Sequence, residues 1–413
     1  MFDVAIIGAG AAGLMAAVYA AQAGAKTCVF EKNSAAGKKL LLTGGGRCNL
    51  THTGSIDDFI KACHPFGNTL RHAFYALRPA DLIDFFARRG LETAAEPDGC
   101  IFPRRGCAED VLRILLGEVN RCGAAVYYGA RVAEVSKNTG GFQIKTAQAS
   151  YACKCVVIAA GGASWPQTGS TGDGYKLAET FGHTVIEPIG ILCPVVCSQP
   201  WPGRLQGISL ERVSIRMQLG GKRQTVTGAA VFTADGIGGP AAFDVSRAAA
   251  ETLRRGNSVP LWLNFCPDCT AEMLEAQIIR HCAEHPQKDL AGILSLRLPR
   301  RIGELLQEMT AADEPVCAGH LRRQQRRRLV ELLSAMPLTA IRCAPLEKAT
   351  VTRGGICRSQ IDFRTMQSRL CEGLFFAGEV IDVDGPCGGY NLQIAFSTGA
   401  LAGMRAAGCA RLK

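Results

Sequence analysis

The sequence predicts an α/β protein in which one discontinuous domain, built on a parallel sheet, is interrupted by a β-rich insertion that itself carries a helical one. Three observations carry this reading. Residues 1–32 (MFDVAIIGAGAAGLMAAVYAAQAGAKTCVFEK) read as strand, glycine turn, helix and second strand. From about 190 to 262 the text alternates apolar and polar residues, as in Val213–Leu219 and Thr225–Phe232, and residues 270–334 then turn helical and basic. Near residue 345 the α/β character returns, with a strand over Leu374–Val380, a Gly-rich loop over Asp382–Tyr390 and a closing helix over Asn391–Ala407. The ends of the chain therefore share a domain. The expected divisions are 1–189 with 346–413, 190–264 with 335–345, and 265–334.

Each element of the opening unit has a physical reason. Phe2–Ile7 is a short apolar run of the kind a buried parallel strand shows. Gly8-Ala-Gly-Ala-Ala-Gly13 follows directly. Gly8 allows a tight turn, Gly10 lets backbone approach a pyrophosphate, and Gly13 lets helix and strand pack closely. The start of the helix attracts the phosphate charge. Glu31 ends the second strand about 20 residues on, where an acid can accept ribose hydroxyls. This unit is expected to hold an adenine dinucleotide.

Downstream, Thr43-Gly-Gly-Gly-Arg-Cys-Asn49 removes side-chain bulk and exposes backbone N–H groups, which suits a flat ring or a phosphate. Residues 57–96 read as amphipathic helix with a break at Pro79, and 108–121 as another helix. Gly99–Pro103 is a short strand or turn, Ala124–Val135 and Gly141–Lys145 are strand-like, and Tyr151–Gly162 is a second apolar strand ending in glycines. Gly169-Ser-Thr-Gly-Asp-Gly174 opens a helix over 175–182.

Composition bounds the function. The chain has 413 residues, 47% apolar and 20% charged, with no low-complexity block, no signal-like start and no apolar run long enough for a membrane span. Nineteen cysteines, an odd number, read as buried thiols of a reducing cytoplasm rather than a disulfide framework. The net charge of +10 favours acidic partners without selecting among them.

The C-terminal return decides between NAD and FAD. A strand ending in Gly378-Glu379 puts an acid beside a ribityl chain. A helix starting near Asn391 puts partial positive charge at the pyrimidine edge of an isoalloxazine, where it stabilises the anionic reduced flavin. Only one complete dinucleotide turn is visible, so a dedicated second domain for NAD(P)H is not expected.

Several segments together resemble the BaiN/RdsA (YhiN-like) family of NAD(P)/FAD-dependent oxidoreductases, with the glutathione-reductase-type FAD fold. They are Gly8–Gly13, Thr43–Asn49, Gly99–Pro103, Gly169–Tyr175, Phe232-Thr with Gly236–Pro240, Ala377–Gly385 and Gly388–Gln393. The resemblance implies a discontinuous Rossmann-like FAD-binding domain, an inserted β-barrel-like domain and a small helical domain. It places the flavin on Gly8, Gly10, Ala12, Gly13, Glu31, Lys32, Lys39, Thr43, Gly45, Gly46, Arg47, Cys48 and Asn49. It adds Gly161, Gly378, Glu379, Gly388, Gly389, Asn391 and Leu392, with Val132 touching adenine through its backbone. Family activities run from reduction of steroid ene-ones and of uridine in ribosomal RNA to oxidation of small amino-ketones.

For a reductase fed by NAD(P)H, a side chain near the flavin must deliver a proton after hydride transfer. Candidates are Asp384, Cys387 and Tyr390 in the loop before the last helix. A thiol can protonate a uracil-like carbon, although a packed, inert thiol is the ordinary role of a cysteine. Tyr390 either donates the proton or packs against the flavin. Asp382 and Asp384 also fit capping of the helix or hydration of the loop, Arg47 fits binding or orienting the flavin with an anionic substrate second, and His52 fits a surface or N-cap residue. No metal site is expected: Cys266-Pro-Asp-Cys269 lacks a second pair, and Cys153 and Cys155 are read as facing opposite sides of their strand. The run Arg322, Arg323, Arg326, Arg327, Arg328 is either a solvated helix face or a phosphate-binding surface for structured RNA. It has no interleaved aromatics for base stacking.

Overall fold

The computed structural model describes residues 1–310 and 317–413. Residues 311–316, inside the stretch read as helical and basic, lie outside the described residues. The chain forms two units, Met1–Gly190 with Leu346–Lys413, and Ile191–Pro345.

The first unit is built on a nine-stranded sheet. Strand β1 (Phe2–Ile7) runs parallel to β2 (Thr27–Phe30) on one side and to β9 (Ser150–Ile158) on the other. On the far side of β2 lies β6 (Ala125–Tyr127), also parallel. The C-terminal return, β20 (Leu374–Phe376), adds in parallel to β9, followed outward by β19 (Gln367–Ser368) and β18 (Ile361–Asp362). An antiparallel hairpin of β7 (Val132–Asn138) and β8 (Gly141–Thr146) joins the first half of β9. Val4–Ile7 and Cys155–Ile158 are buried on both faces, which is why these strands read as unbroken apolar runs.

Two helices, α1 (Ala11–Gln22) and α13 (Tyr390–Arg411), bind the chain's ends together. Their backbones touch: a Cβ on Gly399 would lie 2.3 Å from the Ala12 carbonyl oxygen, and one on Gly403 2.2 Å from that of Ala16. This small-residue seam brings the closing helix close to the glycine turn.

The stretch 57–96 holds more breaks than its periodicity suggests. It forms α2 (Ile56–Ala62), α3 (Gly67–Ala76) and α4 (Pro79–Ala87), followed by β4 (Thr93–Ala95). Pro79 starts α4 rather than interrupting a helix, because the first turn needs no N–H there. The additional break is at His64-Pro65, since the residue before a proline avoids the helical region. Strand β4 pairs with β5 (Cys100–Pro103), which also pairs with β3 (Thr51–His52). Helix α5 (Ala108–Arg121) spans the stretch read as helix, α6 (Asp173–Glu179) follows the second Gly-rich loop, and β10 (Val185–Ile191) pairs with β17 (Val351–Ile356).

The second unit contains a closed barrel ordered β11 (Val195–Cys197), β14 (Gly236–Gly238), β13 (Lys222–Phe232), β12 (Ser209–Leu219), β15 (Val259–Asn264) and β16 (Met336–Cys343), with β16 returning to β11. Val213, Ile215 and Met217 alternate inward on β12, the expected period of two. Helices α7 (Trp201–Arg204), α8 (Pro240–Arg254), α9 (Ala271–Glu284), α10 (Leu290–Leu294), α11 (Arg300–Thr310) and α12 (Arg323–Ala335) complete it. Leu274, Ile278, Leu329 and Leu333 share one apolar core with the barrel's Leu261, Leu263 and Met336. Among the described residues no helix is long and apolar enough to cross a membrane, and no cluster of three or more His, Cys, Asp or Glu could hold a metal.

Candidate functional site

The first unit gathers its chemistry at the carboxyl ends of β1, β2, β9 and β20. At the turn after β1, a Cβ on Gly13 would sit 1.9 Å from the Gly8 carbonyl oxygen, so only glycine lets α1 start this close to the strand. A Cβ on Gly10 would meet nothing within 4 Å, so the space in front of that backbone is open. The first intrahelical bond of α1 is Leu14 N to Gly10 O, 2.9 Å, leaving the preceding amides at the helix start for an anion.

Glu31 is buried just past β2. Its Oε2 accepts from Ala9 N and its Oε1 from Asn33 N, both at 2.8 Å. It therefore clasps the glycine turn to the end of β2. Lys32 donates to Thr171 Oγ1 (2.6 Å) and Asp173 Oδ2 (2.8 Å), and Arg131 completes the group at Asp173 Oδ1 (2.9 Å).

A second group joins the ends of the chain. Lys39 Nζ lies 2.8 Å from Glu379 Oε2 and 2.7 Å from Ser164 Oγ. Glu379 Oε1 accepts from Thr352 N at 2.6 Å and Ser164 Oγ at 3.0 Å. Ser164 and Thr352 escaped the sequence reading because each is an ordinary polar residue outside any motif; only the fold delivers them to Glu379.

The triple glycine is a tight turn in which Gly44, Gly45 and Gly46 all have positive φ (57°, 66° and 87°), as does Cys48 at 62°. A Cβ on Gly45 would meet nothing within 4 Å. Cys48 is fully buried, and burial pushes its thiol up to about 12. Arg47 reaches Glu96 Oε1 (2.6 Å) across the ring of Phe102, its guanidinium 4.1 Å from the ring centroid, so in this structure its side chain is engaged by β5 and its neighbours. Asn49, with its amide turned to satisfy its neighbours, donates to Ile101 O (3.2 Å) and Thr51 O (3.0 Å) and accepts from Gly389 N (3.2 Å).

Gly389 caps α13 at φ 88°, in the left-handed region, where a side chain would be strained. The first bond of α13 is Gln393 N to Gly389 O, so the amides of Tyr390, Asn391 and Leu392 precede the helical ladder and make a positive helix end. The side chain of Asn391 is committed to the loop: it accepts from Gly385 N and donates to Gly385 O, both at 2.9 Å.

The three proton-donor candidates separate. Asp384 is fully buried in a two-point ion pair with Arg353, Nε to Oδ2 at 2.7 Å and Nη2 to Oδ1 at 2.9 Å. Asp382 pairs with Arg358 at 3.2 Å, and burial pushes its carboxyl above the usual range. Both aspartates thus hold the loop to β17 and the turn after it. Tyr390 stacks on His52, ring centroids 4.9 Å apart and 21° between planes, and leans on Phe59. Burial pushes its phenol up to about 12, so it stays protonated through the physiological range. Cys387 is exposed near Cys100, whose own thiol burial pushes up to about 11. His52 neither caps a helix nor floats in solvent. Its Nδ1 lies 2.7 Å from Thr53 O and its Nε2 2.9 Å from Asp98 O, and Ser55 is the cap of α2.

One expectation needs correcting. Cys153 and Cys155 are two apart on β9 and so lie on the same face of the strand, not on opposite ones. Both are buried, and burial raises both thiols.

Comparison with known proteins follows the same lines. Residues 2–405 match the HI0933-like protein Rossmann domain. The chain belongs to that family. It is 31% identical over 420 residues to the 3-dehydro-bile acid delta(4,6)-reductase of Clostridium scindens, covering 98% of this chain and 99% of that one. It is 30% identical to the ribosomal RNA dihydrouridine synthase of Escherichia coli, covering 96% of each. Among solved structures it is similar to 3-ketosteroid delta1-dehydrogenase of Sterolibacterium denitrificans (TM-score 0.53, 14% identity, all of both chains). A flavocytochrome c3 fumarate reductase is alike in the same degree (TM-score 0.52, 17% identity, 99% of this chain and 78% of that one). These likenesses concern the fold. The α/β class, the family and the oxidoreductase class read from the sequence all stand.

Proposed function

We propose that the chain is a cytoplasmic, FAD-dependent reductase of electron-poor C=C bonds, supplied with hydride by NAD(P)H. The observation that carries the cofactor is the open cradle in the first unit. The glycine turn, Glu31, the triple-glycine turn, the Lys39–Glu379 group and the start of α13 come from distant parts of the chain and leave space at Gly10 and Gly45. The amides at the start of α1 would hold the pyrophosphate, Glu31 the adenosine ribose, Lys39 and Glu379 the ribityl end, and the amides at the start of α13 the pyrimidine edge. Bound there, FAD supplies hydride transfer.

The chain's own part in the reaction is proton delivery. Tyr390 is protonated, sits at the flavin-facing helix start and is held by His52 and Phe59. Tyr390→Phe is expected to slow reduction of the acceptor about 100-fold, within the range for losing a general acid, while leaving anaerobic flavin reduction by NAD(P)H unchanged. An unaltered acceptor rate passes the role to Cys387.

The substrate read here is a uridine in ribosomal RNA, and the feature that supports it is α12. Arg322, Arg323 and Arg327 are exposed and carry no ion pair among the described residues. Arg328 pairs with Glu331 at 3.4 Å, and Arg326 is tied to Leu321 O at 3.2 Å. Changing the three unpaired arginines to Ser should reduce the slope of log K against log salt for rRNA-fragment binding by about 2 to 3, the loss of three phosphate contacts. A steroid ene-one is the second reading, favoured by the 31% identity to the bile-acid reductase. It predicts ene-one reduction indifferent to these substitutions. Anaerobic reoxidation of the reduced protein by each acceptor separates the two.

A further inference from the structure

We infer that a groove in the first unit, walled by the start of α3 and the segment 358–369, is a second anion site that takes a phosphate or phosphodiester group. The functional reading above supplies only the choice of ligands to test. The groove is open, about 560 Å³ in volume, and lined by Asn68, His72, Arg358, Arg364 and Arg369 among others.

Its charge is unbalanced. Asp362 is the one carboxylate among the lining residues, against three guanidinium groups. Asp362 lies 3.9 Å from Arg369 Nη2 and accepts from the backbone N of Arg364 at 3.1 Å. The side chain of Arg364 is exposed with no ion pair among the described residues.

The other two arginines are already oriented. Arg358 lies on the ring of Phe66, 4.6 Å from its centroid, and donates from Nε to Asp382, which leaves its Nη pair for a ligand. Arg369 donates from Nε to Ile361 O at 3.2 Å. A guanidinium fixed through Nε presents its remaining N–H groups in the fork that matches two phosphate oxygens, and its ordering entropy is spent on folding rather than on binding. The start of α3 contributes partial positive charge to the opposite wall. None of these residues belongs to the flavin cradle.

The phosphate has two plausible sources in this chemistry, an RNA backbone or the phosphates of the pyridine nucleotide. The experiment uses the FAD-loaded protein, so the dinucleotide cradle is filled, and compares wild type with the double variant Arg364→Glu/Arg369→Glu. Both positions are exposed, and equal melting temperatures confirm the fold. Inorganic pyrophosphate is titrated by calorimetry, a uridine-containing rRNA fragment by filter binding across salt, and NADPH and NADH by anaerobic flavin reduction.

The expected result is at least a tenfold loss of pyrophosphate affinity in the variant, recovered only in part by Arg364→Lys/Arg369→Lys, which keeps the charge but not the guanidinium fork. With it should come either a tenfold loss of RNA affinity and a shallower salt slope, or a tenfold rise in the half-saturating nucleotide concentration. The arm that changes names the source. Equal pyrophosphate affinity in wild type and variant overturns the inference. Pyrophosphate binding that depends on the arginines, with RNA and nucleotides both without effect on wild type, upholds the groove and sinks the functional reading instead.

Discussion

Gly10→Val is expected to leave the fold intact and remove the cofactor. Gly10 has φ −84° and ψ −172°, a conformation open to any residue, and a Cβ there meets nothing within 4 Å. The protein itself therefore has no reason to resist the change. A pyrophosphate in front of that backbone would, because a valine side chain there would keep phosphate oxygens from the amides of α1. The apo-protein should melt within about 2 °C of wild type, while FAD affinity falls at least about 100-fold, or about 2.7 kcal/mol.

Gly13→Val serves as the contrast. Its Cβ would overlap the Gly8 carbonyl oxygen at 1.9 Å, a backbone contact that cannot yield by a rotamer change. The cost should exceed the 1–3 kcal/mol usual for overpacking, and the variant should fail to accumulate as soluble protein. Thermal melts of flavin-stripped protein and FAD titration by fluorescence quenching check the Gly10 variant, and the yield of soluble protein checks the Gly13 variant. If the Gly10→Val protein still binds FAD as wild type does, the cofactor does not lie over the glycine turn.

The second large effect concerns stability. Asp384→Ala is expected to destabilise the protein by about 3–5 kcal/mol, because it removes the carboxylate that pairs at two points with the Arg353 guanidinium, only 8% exposed. Arg353→Met/Asp384→Leu, which removes both charges, should recover most of the loss, since paired burial of two ions costs nearly what their attraction returns. Urea melts of the three proteins measure this directly. The same series decides the role of Asp384 in the reaction. If the double variant folds and still reduces its acceptor, the aspartate is a strut of the loop. A double variant of wild-type stability with acceptor reduction abolished would return Asp384 to the list of proton donors.

The candidate site was legible wherever chemistry is written as a local pattern. The glycine turn, its acid at Glu31, the triple glycine and the helix start near Asn391 are all short-range signals, because each depends on backbone geometry that a few residues impose. Arg353 and Arg358 were not legible. Arg353 sits in the buried run Val351–Ile356, and nothing near it in sequence announces that Asp384 will be its partner. Nor could the stacking of Tyr390 on His52 be read, since it joins residues far apart in the chain across two elements. The face on which Cys153 and Cys155 lie was misread despite being a local matter, since a strand's period of two settles it without any fold.

The amino-acid order alone determined the α/β class and the split domain, because hydrophobic period and glycine placement act over a few residues, and the family followed from the resemblance of its motifs. The tertiary structure alone decided which polar groups meet. The seam of Gly399 and Gly403 on Ala12 and Ala16 sets how closely the closing helix approaches the glycine turn, and Lys39 meets Glu379 across 340 residues. A charge finds its partner by distance in space, and burial then makes the choice of partner energetically binding, since an unmatched ion in the interior costs more than folding can spare.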